Sequence, residues 1–120
     1  MTDHNGSKRH QRYKQRVANV CRQYGFQVFG DQDNEVEISR EQTYPFYIDL
    51  LATNGTRILA IEIDGPKNHS SHYAKKKDAN RLDYIKQKLG PRCETYRFGF
   101  WQLAGTSDEL IAEELKLKLV

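Results

Sequence analysis

The sequence predicts a mixed α/β domain, a central four- to five-stranded sheet flanked by helices in the order α-β-β-β-α-β-α. Three observations carry that expectation. Apolar residues recur at three-to-four spacing in a first segment ending near Tyr24, in a second reaching Leu89, and in a third from Asp108 to Leu119. An Asn54-Gly55 pair separates two apolar runs, the strongest short-range hairpin signal. An aromatic-rich run, Cys93–Trp101, follows the second helix and supplies the strand beyond a crossover. A chain of 120 residues is of single-domain size and can bury a modest core without disulfide or metal staples. Residues 1–6 are expected to form a flexible tail.

The elements follow in chain order. Ser7 can cap the first helix and Gly25 can close it, with Tyr13, Val17, Val20, Cys21 and Tyr24 on its buried stripe. Phe26–Phe29 reads as a strand, and Val36 and Ile38 alternate with acids in a short second one. Tyr44–Ala52 and Arg57–Asp64 form the hairpin arms, and Gly65-Pro66 stops the second. The second helix starts near Ser70 or His72 and ends at Gly90-Pro91; Thr106 and Glu109 can form a capping box for the last helix.

Composition narrows the class of function. Net charge is +3 and the isoelectric point near 8.9. The basic excess is uneven: Lys8, Arg9, Arg12, Lys14, Arg16 and Arg22 lie in one helix, and seven further Lys and Arg lie in residues 75–92. Two basic helices point to a polyanionic partner, although lysine-rich helix faces are also commonly just solvated. No apolar run approaches the roughly 20 residues of a membrane span, and the N-terminal residues lack the apolar core of a signal peptide. A cytoplasmic location is expected, with no membrane partner. Cys21 and Cys93 stand far apart and read as small apolar core residues.

The hairpin carries the chemistry. A two-residue Asn54-Gly55 turn sets Thr53 opposite Thr56, Asp49 opposite Ala60 and Tyr47 opposite Glu62. Alternation then puts Asp49, Ala60, Glu62 and Asp64 on one face, and Ile48, Leu50, Leu59, Ile61 and Ile63 on the other. Asp49 and Glu62 become diagonal neighbours about 7–8 Å apart, close enough to share a divalent ion. Ionised carboxylates among apolar strands require a cation, a donor or water, and an all-oxygen set suits Mg²⁺. The competing reading is a solvated acidic face paired with Arg or Lys. His10 and Lys14 share a face of the first helix and could border the site. Asp78 and Arg81 fall on the apolar stripe of the second helix, where they could pair with each other or Arg81 could hold a phosphate. His69 and His72 lack cysteine partners for a zinc site.

These residues resemble the PD-(D/E)xK nuclease superfamily: Asp49 on one hairpin strand, Glu62-Ile63-Asp64 on the next. The string Glu62-Ile-Asp-Gly-Pro-x-x-His69, the Asp78-x-x-Arg81 pair and the strand around Tyr96-Arg97-Phe98 are similar to its small very-short-patch-repair-like branch. The resemblance spans roughly residues 8–103. It implies a restriction-endonuclease-like core and a Mg²⁺-dependent endonuclease acting on DNA, with Mn²⁺ as a substitute metal and RNA as a second possible substrate. It further implies Asp49, Glu62 and the Ile63 carbonyl as metal ligands, catalytic roles for Asp64 and His69, and nucleic-acid contacts from His10, Lys14, Lys67, Lys77 and Arg81. Homodimers are the expectation where both strands are cut.

Three departures accompany it. No proline precedes Asp49, and Asp64 stands where a lysine often orients the attacking water. His69, Lys67 or Lys14 is then left to supply that donor. The cysteine-rich zinc site of the repair enzymes is absent, so mismatch recognition does not carry over. Asp64-Gly65-Pro66-x-x-His69 also looks like the RAP domain, an RNA-associated relative, which makes a non-catalytic binding module the alternative. A protein-interaction role is the third reading. Trp101 and Phe100 are expected in the core.

Overall fold

The computed structural model describes residues 8–32, 36–37, 47–65 and 83–118. Helix α1 (Lys8–Gln23) is followed by β1 (Gln27–Phe29), β2 (Val36–Glu37), β3 (Tyr47–Ile48), β4 (Leu50–Thr53) and β5 (Ile58–Asp64). Residues 83–89 are helical and are called α2. The chain continues through β6 (Cys93–Gly99), α3 (Phe100–Ala104) and α4 (Asp108–Glu114). A mixed sheet runs β1-β4-β5-β6, antiparallel except for the parallel pair β5–β6, and β2 and β3 form a separate ladder. No helix among the described residues is long and apolar enough to cross a membrane.

Helices cover both faces of the sheet, which explains why β5 reads as an almost unbroken apolar run. On one face Leu50, Ala52, Leu59, Ile61 and Ile63 pack against Val17, Val20 and Cys21 of α1 and Ile111 and Ala112 of α4. On the other, Ala60, Cys93 and Ile48 pack with Ile85 of α2, flanked by Leu51, Ile58 and Leu89. Cys21 and Cys93 are free, buried thiols, as their spacing predicts, and burial pushes the Cys21 thiol up to about 12.

Four sequence expectations are corrected. The hairpin register pairs Thr53 with Ile58 and Leu50 with Ile61, so the turn holds four residues rather than two. The Asn54 side chain accepts from both Thr56 N–H and Arg57 N–H (2.9 and 2.7 Å), and Thr53 Oγ1 donates to Arg57 O at 2.9 Å, which widens the loop. Only Gly55 has positive φ there (91°), whereas the tight turn expected of Asn-Gly requires it at both residues. The displacement is by two residues, so the parity of β5 survives.

β6 stops at Gly99, and Phe100 and Trp101 open a helix instead of ending a strand. Gln102 Oε1 accepts from Gly99 N–H at 2.7 Å and fixes that switch. The cap of α4 is Ser107, whose hydroxyl accepts from Leu110 N–H, not Thr106; the helix closes at Glu114 rather than near Leu119. Thr106 contributes its carbonyl to Arg16 instead (2.6 Å). Finally, Ile48 joins the face of Ala60 rather than that of Leu50, because the chain bends at Asp49 between β3 and β4.

Helix α1 is tied to the loop after β1 by polar contacts. Asp31 is 1% exposed. Its carboxylate accepts from both Arg22 terminal nitrogens (2.8 and 3.0 Å), and its carbonyl accepts from Gln11 and Gln15. The Arg22 hydrogen bonds hold the Asp31 carboxyl below the usual carboxylate range, against the opposing cost of burial. A depressed pKa stabilises the fold at pH above the unfolded-state value, about 3.9, and that contribution disappears as pH falls through the folded value. Asp31→Asn is expected to lower stability at neutral pH by about 1–2 kcal/mol, allowing for the solvent around Arg22. Urea denaturation from pH 7 to pH 2 should show the difference from wild type shrinking below about pH 4.

Candidate functional site

Register explains why Asp49 stands where it does. Continuing the β4–β5 pairing one step past Leu50–Ile61 puts Asp49 across from Glu62, and a further step would put Ile48 across from Ile63. Ile48 does not take that place. The chain bends at Asp49, and Ile48 pairs with Val36 of β2. The Ile63 backbone would then lose both partners in a buried strand, a costly loss. Two side chains replace them. Asp49 Oδ2 accepts from Ile63 N–H at 2.7 Å, and His10 Nε2 lies 3.0 Å from Ile63 O. His10 Nε2 is also 3.4 Å from Asp49 Oδ1. The Asp49 N–H in turn donates to Glu62 Oε1 at 3.3 Å.

Asp49 and Glu62 are therefore adjacent and buried, at 4% and 5% exposure, with His10 at 2%. Burial disfavours the His10 imidazolium, but the hydrogen bond and charge of Asp49 outweigh it, and the net effect raises its pKa above 6.5. Lys14 lies one helical turn further along α1 and is 2% exposed. Its ammonium acts on both His10 and Asp31 through space, opposing protonation of the one and favouring ionisation of the other. His10 thus meets Asp49 directly, while the interactions of Lys14 run to His10 and Asp31 rather than to the two carboxylates.

Asp64 behaves differently. It lies two residues beyond Glu62 on β5, at the level of Gly99, and its Oδ2 is 3.1 Å from Arg97 Nε of β6. Arg97, paired in register with Glu62, was not among the expected site residues. The Asp49 carboxylate reaches along β5 to the Ile63 amide, whereas that of Asp64 meets Arg97. His69, Lys67, Lys77 and Arg81, with His72 and Asp78, lie outside the described residues. Among the described residues, no three His, Cys, Asp or Glu side chains gather in a group that could hold a metal ion.

Gly30 supports the bend. It has φ of 105°, and a Cβ there would collide with the Asp49 carbonyl. Only a glycine permits the β1 loop to approach Asp49 that closely. Elsewhere, a depression of about 400 Å³ between β6, α3 and α4, lined by Gln102, Leu110, Glu113 and Glu114, contains none of these residues. Comparisons with protein-family models, with curated proteins and with solved structures find no match for the chain.

The approach at Gly30 yields a paired test. Gly55 also has positive φ, but a Cβ there meets nothing within 4 Å. Gly55→Ala is expected to lose about 1 kcal/mol from backbone strain alone. Gly30→Ala should lose more, because it adds a collision with Asp49, and chemical denaturation of the two variants measures the difference. Amide chemical-shift changes at Asp49 and Ile63 in Gly30→Ala alone would locate the disturbance.

Proposed function

We propose that the chain is a metal-dependent nuclease hydrolysing phosphodiester bonds of DNA, with Asp49 and Glu62 as its metal-binding carboxylates. The observation that carries this reading is the contact between two buried acids, joined through the Asp49 N–H and Glu62 Oε1, at the carboxyl end of β5. The Ile63 amide needs only one acid, and Glu62 places a second carboxylate beside it, held through the Asp49 N–H. The resemblance to the PD-(D/E)xK superfamily and to its restriction-endonuclease-like core supports the same reading.

The donor set fits a hard divalent ion. Mg²⁺ is ordinarily held by one or two carboxylates together with waters and substrate phosphates, rather than by an all-protein cage. The Ile63 carbonyl already accepts from His10 in the tautomer that donates from Nε2, so that bond orients the carbonyl proposed as a further ligand. Bound there, Mg²⁺ would polarise the phosphoryl group and lower the pKa of an attacking water.

The protein side of the chemistry falls to α1 and β6. His10 fixes Asp49 and Ile63 relative to each other. Lys14, one turn of α1 beyond His10, supplies a buried positive charge that would oppose the build-up of negative charge on the phosphoryl oxygens. Arg97 holds Asp64 aside, which argues for Lys14 over Asp64 as the partner of the two carboxylates.

One observation favours the alternative, a non-catalytic nucleic-acid module. The Asp49 carboxylate and His10 together complete the β5 ladder, a structural task that would keep both residues without cleavage. Cleavage of labelled DNA and RNA panels in Mg²⁺, Mn²⁺ or EDTA separates the two. Glu62→Gln is the decisive variant, because it spares the Ile63 contacts. Metal-dependent cutting is expected, reduced about a hundredfold to a thousandfold in Glu62→Gln and in Lys14→Met. Binding without cutting under every metal would leave the module.

A further inference from the structure

We propose that Trp101 and Arg9 form a platform for an unpaired nucleotide beside the carboxylate pair, the indole taking the base and the guanidinium the phosphate. The proposal rests on the nucleic-acid part of the reading above and extends it to the substrate class: a strand with single-stranded character at this edge of the sheet.

Trp101 is the only tryptophan of the chain and is 88% exposed, against the expectation that it joins the core. Single exposed apolar residues are ordinary, so exposure alone carries little. Position and charge carry the argument. Gly99 pairs in register with Asp64, and α3 starts at the next residue, so Trp101 stands two residues beyond the end of β6. It therefore occupies the sheet edge to which β5 delivers Glu62 and Asp64.

Its neighbour Phe100 is 5% exposed and anchors that turn. The Phe100 ring is 4.9 Å from the Tyr13 ring and 6.2 Å from the His10 ring, and comes within 3.8 Å of an ideal Cβ on Gly65. The Arg9 guanidinium lies 5.0 Å from the centre of the same ring. Through Phe100, the first turn of α1 and the first turn of α3 meet next to His10 and hence next to Asp49. Lys8, Arg9 and Arg12 are exposed on α1, whose first turn has no acid.

The Arg9 guanidinium is seated on Phe100, the residue before Trp101 in the chain, and an exposed aromatic ring with arginine charge close in the fold suits single strands: bases stack on the ring, and cations follow the phosphates. Bases within a duplex are already stacked and reach such a ring only after extrusion. A protein partner fits less well, since the exposed chain neighbours of Trp101 are Gln102, Ala104 and Gly105, too little apolar surface for a protein interface.

Because Trp101 is the sole tryptophan, its fluorescence reports on its own contacts. Oligothymidylate, oligouridylate and a blunt DNA duplex would be titrated in low-salt Ca²⁺ buffer, which screens the carboxylates. Tryptophan emission would be followed on unlabelled strands and anisotropy on labelled ones, with wild type, Trp101→Ala, Trp101→Phe and Arg9→Gln. Single strands are expected to quench emission over the same concentration range in which anisotropy rises. Trp101→Ala should bind them about tenfold more weakly, with Trp101→Phe retaining most of the affinity. Arg9→Gln should lower the slope of log affinity against log salt by about one phosphate contact. The oligothymidylate and oligouridylate arms distinguish DNA from RNA as the source of the nucleotide. Strands that bind with emission unchanged, and equally well in Trp101→Ala, would overturn the platform while leaving the nucleic-acid reading intact. No binding of single strand or duplex would overturn both. Unchanged circular dichroism of Trp101→Ala, expected for so exposed a side chain, separates a lost contact from a lost fold.

Discussion

The backbone of Ile63 lies in a strand covered by helices on both sides, and everything around the carboxylates follows from how its amide and carbonyl are satisfied. In a continuous hairpin, Ile48 would take both bonds. The bend at Asp49 removes Ile48 to the β2 ladder, and a buried donor and acceptor left open at that point would cost a few kcal/mol. Asp49 and His10 restore them with side chains, 2.7 Å from the amide and 3.0 Å from the carbonyl. A sheet ladder completed by an acid and an imidazole is a polar centre built inside a core. Its charge state is coupled to the fold, and it cannot be replaced by apolar residues without rebuilding the strand.

Helix α1 is the element that makes this tolerable. Its apolar stripe of Val17, Ala18, Val20 and Cys21 is buried against the sheet, while the same face, continued toward the N-terminus, carries Lys14 and His10 to the bend. Gln11, Gln15 and Arg22 hold the loop at Asp31, and Arg16 holds the carbonyls of Leu103 and Thr106 at the far side. The loop at Asp31 brings Gly30 against the Asp49 carbonyl, so the helix fixes the bend from two directions. A second polar clamp ties the opposite end of the sheet: Arg57 binds Glu94 in a bidentate pair and reaches the carbonyls of Leu115 and Lys116. The sheet is thus pinned at both ends by arginine and glutamine side chains bound to main-chain oxygens, which leaves its middle to apolar packing.

How much of this was legible in the sequence depends on the range of the interaction. The α1 stripe from Tyr13 to Cys21, the buried face of β5 and the closeness of Asp49 to Glu62 follow from local periodicity and are present, whereas Tyr24, expected on the same stripe, lies past the end of α1 and is 37% exposed. The turn was misjudged because Asn54 spends its side chain on the Thr56 and Arg57 amides, an arrangement that Asn-Gly as a pattern does not distinguish from the tight turn. Parity of the faces survived because the register slipped by an even number. Ile48 and Trp101 were misplaced for a different reason. Alternation continues only while a strand does, and both residues sit one or two positions past a break set by tertiary contacts: Gly30 against Asp49, and Gln102 capping Gly99. Arg97 escaped notice because a parallel neighbour is joined through a crossover, with no turn from which to count.

The same breaks concentrate chemistry at one edge. The pairing of β4 begins at Leu50, just after Asp49, while β5 ends at Asp64 and β6 at Gly99, so two carboxylates, an ion pair and an exposed indole lie toward the end of the sheet where the ladder stops. Open α/β sheets place ligands beyond the carboxyl ends of their strands for this geometric reason: the backbone there has finished pairing with itself. Here β5 and β6 run parallel, so their carboxyl ends coincide, and the basic first turn of α1 lies across them through Arg9 and Phe100. Carboxylates alone at such an edge would repel a nucleic acid. On the proposed reading, the arginine and lysine charge of α1, with a metal held by the acids, would reverse the sign of the field that an approaching phosphate meets. On that reading the acids and the basic helix would act as one electrostatic arrangement, the helix offsetting the charge that the acids bring to the edge.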